Sequence, residues 1–161
     1  MPTELKRILL AEDNANDLEL TLAALQQHKL ANEIIAVRDG AEALDYLYRR
    51  GVFADRADDL PALVLLDLKM PKVDGLEVLK TVKADPRLQF IPVVMLTSSR
   101  EEQDVVASYE LGVNSYVVKP VDFAEFMEAV RQIGVFWAIV NEPPPDRPGY
   151  GPSEGPVVEL F

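Results

Sequence analysis

Apolar residues along this chain gather in four short runs without polar alternation, Ile8 to Ala11, Leu63 to Leu66, Ile91 to Leu96 and Tyr116 to Val118, with a weaker fifth at Ile34 to Val37. A strand that is apolar at successive positions buries both of its faces, as the strands of a parallel sheet do. Between the runs lie stretches with helical spacing: Leu18, Leu22 and Leu25, then Leu44 and Leu47, then Val78, Leu79 and Val82, then Val105, Val106 and Tyr109. Strand and helix thus alternate five times, which predicts an α/β domain. Three helix starts carry capping-box spacing, Asp74 with Glu77, Ser99 with Glu102 and Asp122 with Glu125. Gly51 and Gly112 are the clearest stops. The segment GVFADRADDLP over residues 51–61 is longer than an ordinary connection and reads as an exposed loop after the second helix.

The last helix, expected from about Phe123 to Val140, is apolar over more than the single stripe needed to cover one face of a sheet. Phe126, Val130, Ile133 and Trp137 are the expected surplus, a surface for a second copy of the chain in a two-fold homodimer or, as the alternative, for the chain's own end folding back. Beyond residue 141 the sequence becomes NEPPPDRPGYGPSEGPVVELF, in which Pro and Gly are dense enough to exclude helix or central strand. We expect a folded unit over residues 5–140 and a tail over 141–161. The tail ends in Val157, Val158, Leu160 and Phe161, an odd group to leave in water.

With 161 residues there is room for one domain, and 48% apolar content is enough for its core. A net charge of −11 opposes binding to nucleic acid or to an anionic membrane, so the expected partner is a protein. No cysteine is present, which removes disulfides and thiolate chemistry and suits the cytoplasm. The apolar run near the N-terminus is too short for a signal peptide, and no stretch has membrane-spanning length.

In a parallel α/β sheet, ligands collect at the carboxyl ends of the strands. Glu12 and Asp13 follow the first apolar run, Asp67 the third, Thr97 lies at the end of the fourth and Lys119 follows the last. Three carboxylates brought together either shift their pKa values or recruit a cation. With no Cys and one distant His, the donors are oxygen, which suits magnesium. Beside such an ion Asp67 can attack phosphorus as a carboxylate nucleophile, Lys119 can pair with a phosphoryl oxygen and the Thr97 hydroxyl can donate to another. Lys119 precedes Pro120, a bond at which we expect cis.

These residues sit in four segments, AEDN at 11–14, LLDLKMPKVDG at 65–75, MLTSS at 95–99 and YVVKP at 116–120, which together resemble the landmarks of response-regulator receiver domains. The resemblance implies a flavodoxin-like, doubly wound sheet of five parallel strands in the order 2-1-3-4-5 with helices on both faces. It implies a phosphoacceptor at Asp67, a direct metal ligand at Asp13, Glu12 acting on the metal mainly through water, and the backbone carbonyl of Lys69 as a further ligand. Thr97 and Tyr116 are then a switch pair, Lys119 the phosphate-pairing lysine, and a sensor histidine kinase the phosphoryl donor. Lys69 and Ser99, two places after Asp67 and Thr97, flank the phosphoryl group and influence its hydrolysis. The surface that changes is the face of the fourth helix, fifth strand and last helix. The long loop, the FWAIVNEPP segment and the Pro-rich end resemble, more narrowly, regulators that partner bacterial phytochromes.

Plainer assignments hold for several neighbours. Asp74 and Gly75 turn the chain and cap a helix, Asn14 is either a cap or an orienting group for the acidic pair, and His28 is a surface residue. Three rival functions fare worse. An aspartate-nucleophile phosphatase of the haloacid-dehalogenase type needs a second acid two residues after the nucleophile, where this chain has Lys69. A binding module that never sees phosphate would lack part of the acidic set or the lysine. Neither GxGxxG nor GxxxxGK, the glycine-rich nucleotide signatures, occurs.

Overall fold

The structure is a computed structural model and describes residues 7–27, 33–56, 60–97, 102–119, Ala124, Glu128 and 157–160. Strands β1 (Arg7–Ala11), β2 (Glu33–Val37), β3 (Leu63–Leu66), β4 (Val93–Thr97) and β5 (Ser115–Val118) alternate with helices α1 (Ala15–Gln27), α2 (Gly40–Tyr48), α3 (Gly75–Ala84) and α4 (Glu102–Glu110). All neighbouring strands are parallel, as the alternating pattern predicts, and the five lie in the order 2-1-3-4-5 that the resemblance implies. The reason lies in the runs themselves. Leu9, Ala11, Ile35, Val37, Val64 and Leu66 face one way, into a core shared with α2 and α3. Their alternates Ile8, Leu10, Ile34, Leu63 and Leu65 are buried as completely on the opposite face.

The sheet has a sixth strand that the sequence pattern does not announce. Within the segment expected to be a tail, Val157–Leu160 forms β6, parallel to β2 and in register from Glu33 opposite Val157 to Ala36 opposite Leu160. The high Pro and Gly content excludes a central strand, and β6 is accordingly at the edge. It turns β2 into an interior strand, whose residues are all buried.

Several local expectations need correction. The apolar run from Ile91 begins as a turn; regular pairing starts at Val93, after Pro92, which has no N–H to give. Helix α2 ends at Tyr48 because Arg49 adopts a left-handed conformation with φ 55, two residues before the glycine expected to stop it. The following segment is not simply an exposed loop. Gly51–Phe53 is a 3-10 turn that buries Phe53 edge-to-face on Tyr46 with ring centroids 5.1 Å apart. Arg56 lies over the Tyr46 ring and donates to the carbonyls of Tyr46 and Leu47, so the segment caps α2. On α4 the residues turned inward are Asp104 and Ser108, while Val106 and Tyr109 face out. The Ser108 hydroxyl donates to the Asp104 carbonyl at 2.8 Å, which satisfies it in that interior position.

At the end of the sheet where β4 and β5 begin, Lys83 from α3 ties three segments together. Its Nζ donates to the carbonyls of Gln89 and Ile91 at 3.3 and 3.1 Å and to Asn114 Oδ1 at 3.0 Å. Asn114 Oδ1 also accepts from the Val93 N–H at 2.8 Å, and the Asn114 N–H returns to the Val93 carbonyl at 2.9 Å.

Candidate functional site

At the other end of the sheet the chain leaves β1, β3 and β5 through charged residues. The Glu12 N–H donates to the Val37 carbonyl and the Asp67 N–H to the Ala11 carbonyl, each at 3.0 Å, so the two acids extend the ladder by one residue and stand beside each other. The glycine after Asp74 keeps Asp67 where it is. A Cβ on Gly75 would lie 2.3 Å from the Asp67 carbonyl oxygen, so no side chain fits there, and the Gly75 N–H donates to the Leu68 carbonyl at 2.9 Å. Asp74 accepts from the Glu77 N–H at 2.9 Å and starts α3, the turning and capping role read from the sequence.

Glu12, Asp13 and Asp67 each offer an oxygen within 4.8 Å of the others. Glu12 and Asp67 are buried and Asp13 is exposed. Lys119 reaches into this group from the end of β5, with its side chain only 8% exposed and its Nζ 2.5 Å from Glu12 Oε1 and 3.4 Å from Asp67 Oδ2. A third acid, Asp17 from the first turn of α1, accepts from the same ammonium at 2.8 Å. Sequence reasoning missed Asp17, because its partner Lys119 lies 102 residues further along the chain and no local spacing marks such a pair. Asn14 takes both roles that were open for it. Its Oδ1 accepts from the Asp17 N–H at 3.0 Å as an N-cap, and its own N–H donates to Glu12 Oε2 at 3.2 Å.

The electrostatics of this group are unbalanced. Burial, and then the adjoining Asp67 carboxylate, push Glu12 from an ordinary 4.5 up to about 8 against the opposing pull of Lys119. Lys119 loses hydration by burial, yet the hydrogen bonds to Asp17 and Glu12 and the charge of Asp67 outweigh that loss and hold its proton more tightly than usual. A carboxyl driven towards neutrality beside another carboxylate is what a divalent cation relieves. The all-oxygen donor set, with one exposed member open to water, suits a hard ion.

Thr97 ends β4 in register with Val118, which places its backbone next to the strand end carrying Lys119, and Tyr116 pairs with Met95 on the same two strands. Tyr116 is half-buried. Lys69 has an exposed side chain whose Nζ lies 3.9 Å from Asp104 on α4, so the loop after Asp67 reaches that helix by its side chain as well. The expected dimer face Phe126, Val130, Ile133 and Trp137, together with Ser99, Pro120, Asp122 and Glu125, lies outside the described residues. No helix among the described residues is long and apolar enough to cross a membrane.

Comparison with known proteins agrees with this arrangement. The family model described as the response regulator receiver domain matches residues 8–131. Response regulator Rcp1 of Synechocystis sp. is 42% identical over 132 residues, which are 82% of this chain and 88% of that protein. Among solved structures, the bacteriophytochrome response regulator AtBRR is 64% identical with a TM-score of 0.79, covering 87% of this chain and 100% of that one. The bacteriophytochrome response regulator RtBRR is 63% identical with a TM-score of 0.78, covering 88% and 86% respectively. The manganese-bound form of Rcp1 aligns with a TM-score of 0.68 at 42% identity, over 83% of this chain and 94% of that one.

Proposed function

The chain belongs to the response-regulator receiver family, and we propose that it is a phosphorylation switch in which Asp67 accepts a phosphoryl group from a sensor histidine kinase. The observation that carries the reading is the Lys119 ammonium, buried between Glu12 and Asp67 at a point where two carboxylates and an exposed third converge. In the transfer, the phosphorus–nitrogen bond of the donor histidine breaks as an Asp67 oxygen bonds to phosphorus, and the imidazole nitrogen keeps the electron pair. Asp13, Glu12, Asp67 and the Lys69 carbonyl would hold magnesium, which supplies charge neutralisation for the phosphoryl oxygens. Lys119 pairs with one of those oxygens, and the Thr97 hydroxyl with another. The narrower likeness to bacteriophytochrome regulators makes a bacteriophytochrome the donor we favour.

The output is a change of surface. A phosphoryl group adds a charge of roughly −1.5 to −2 at Asp67, which draws Thr97 inward and leaves room for the Tyr116 ring. The readout face would include Val106 and Tyr109, both exposed on α4 beside β5, together with the last helix, where Phe126, Val130, Ile133 and Trp137 would pair two copies in a homodimer. Residues 5–140 form the receiver, working in the cytoplasm on its own aspartate and on no external metabolite, and a further protein reads the altered face.

Beryllofluoride with magnesium tests the reading. Saturable amide chemical-shift changes are expected in the native chain and absent in Asp67→Asn; a native chain that gives none would overturn it.

A further inference from the structure

The geometry points to Asp17 as a positioning residue that competes with the phosphoryl group for Lys119, an inference that rests on the phosphorylation reading above. An ammonium has three N–H donors. Here Glu12 accepts at 2.5 Å and Asp17 at 2.8 Å, whereas Asp67 is 3.4 Å away, so the two shorter bonds hold the ammonium towards α1 and Asp67 has the weakest claim on it.

The ordinary uses of an acid in a first helical turn do not account for this contact. A capping box would send the side chain back to the Asn14 N–H, but that N–H donates to Glu12 Oε2. Interaction with the helix dipole asks only that the acid lie in the first turn. Asp17 instead has a side chain about two-thirds covered, engaged with a lysine 102 residues further along the chain.

Its position fixes the direction of the effect. Glu12 belongs to the carboxylate set that would face the cation, while Asp17, outside that set, is a counter-charge that accepts from the lysine. A phosphoryl group on Asp67 must draw Lys119 away from Asp17 or share it. Asp17 is therefore a brake on the phosphorylated state, and its removal gives the phosphoryl oxygens more of the ammonium.

The test is a beryllofluoride titration of the full chain in excess magnesium, followed by amide chemical shifts. Asp17→Ala should bind about threefold to tenfold more tightly than the native chain, the range expected when one close charge pair is removed. Asp17→Glu, which keeps the acid, should return towards native affinity. With Lys119→Ala in place, adding Asp17→Ala should change affinity less than about twofold. Unchanged or weaker binding in Asp17→Ala overturns the brake. Equal tightening with and without Lys119 also overturns it, because the effect is then one of general charge. A native chain that binds no beryllofluoride overturns the phosphorylation reading, and this inference with it.

Discussion

Helices α3 and α4 are neighbours of similar length on the same side of the sheet, yet they are built on opposite plans. Helix α3 turns Val78, Leu79 and Val82 inward, all fully buried, and its first residue lies against the backbone of Asp67. Helix α4 turns Asp104 and Ser108 inward, 8% and 0% exposed, and leaves Val106 and Tyr109 at 46% and 52% in water. A helix seated on close-packed apolar side chains can shift only by opening cavities. One that buries an aspartate and a serine and leaves Val106 and Tyr109 outside has less apolar packing to lose by moving and offers those two residues to a partner. Under the proposed function, the contrast separates the element that holds Asp67 in place from the element suited to report on it.

Three measurements bear on that contrast. The largest effect is expected at Leu79→Ala, which should destabilise the fold by about 2–5 kcal/mol in urea denaturation. A loss under about 1 kcal/mol would mean that α3 is no more rigidly seated than α4. Next comes the acceptor end of α3. Because Glu12 is raised from 4.5 to about 8, the metal-free folded chain keeps a proton that the unfolded chain releases. That contribution to stability is complete below pH 4.5 and is lost as pH rises towards 8. The melting temperature in chelator should fall by roughly 2–6 °C between pH 5 and pH 8 on this account. Asp67→Asn, by removing the neighbouring charge, should flatten the slope, and magnesium should stabilise more at the higher pH because its binding expels the proton. The smallest effect on stability is expected for Val106→Ser with Tyr109→Ala, within about 0.5 kcal/mol for each substitution. The same pair should weaken any association that depends on beryllofluoride. Native association in the double variant would remove α4 from the readout.

What could be read from the sequence depended on whether one residue's neighbours in space were also predictable from its neighbours in the chain. The five strands were legible because burial on both faces leaves an unbroken apolar run, and the acidic group because strand ends converge in a parallel sheet. Asp17 escaped notice because its partner is Lys119, and nothing local marks such a pair. The start of α2 was legible in principle, since Asp39 and Glu42 have the same spacing as Asp74 and Glu77, and Asp39 does accept from the Glu42 N–H at 2.8 Å. Helix α4 was legible from its apolar spacing, but its inward face was not: Val106 and Tyr109 point out, while the helix buries a serine whose hydroxyl is satisfied within the helix. Strand β6 was hidden because four residues among prolines and glycines carry no periodic signal, although the misfit of Val157, Val158 and Leu160 in water was visible.

The knot around Lys83 and Asn114 gives β5 two unlike ends. Where the strand begins, Asn114 is bonded to β4 through both its backbone and its side chain and is gripped by an ammonium from α3. Where it finishes, Lys119 is suspended among the carboxylates of Glu12, Asp17 and Asp67. Were Asp67 phosphorylated as proposed, the pull on Lys119 would act at the end of β5 opposite this clamp, with Tyr116 lying between the two.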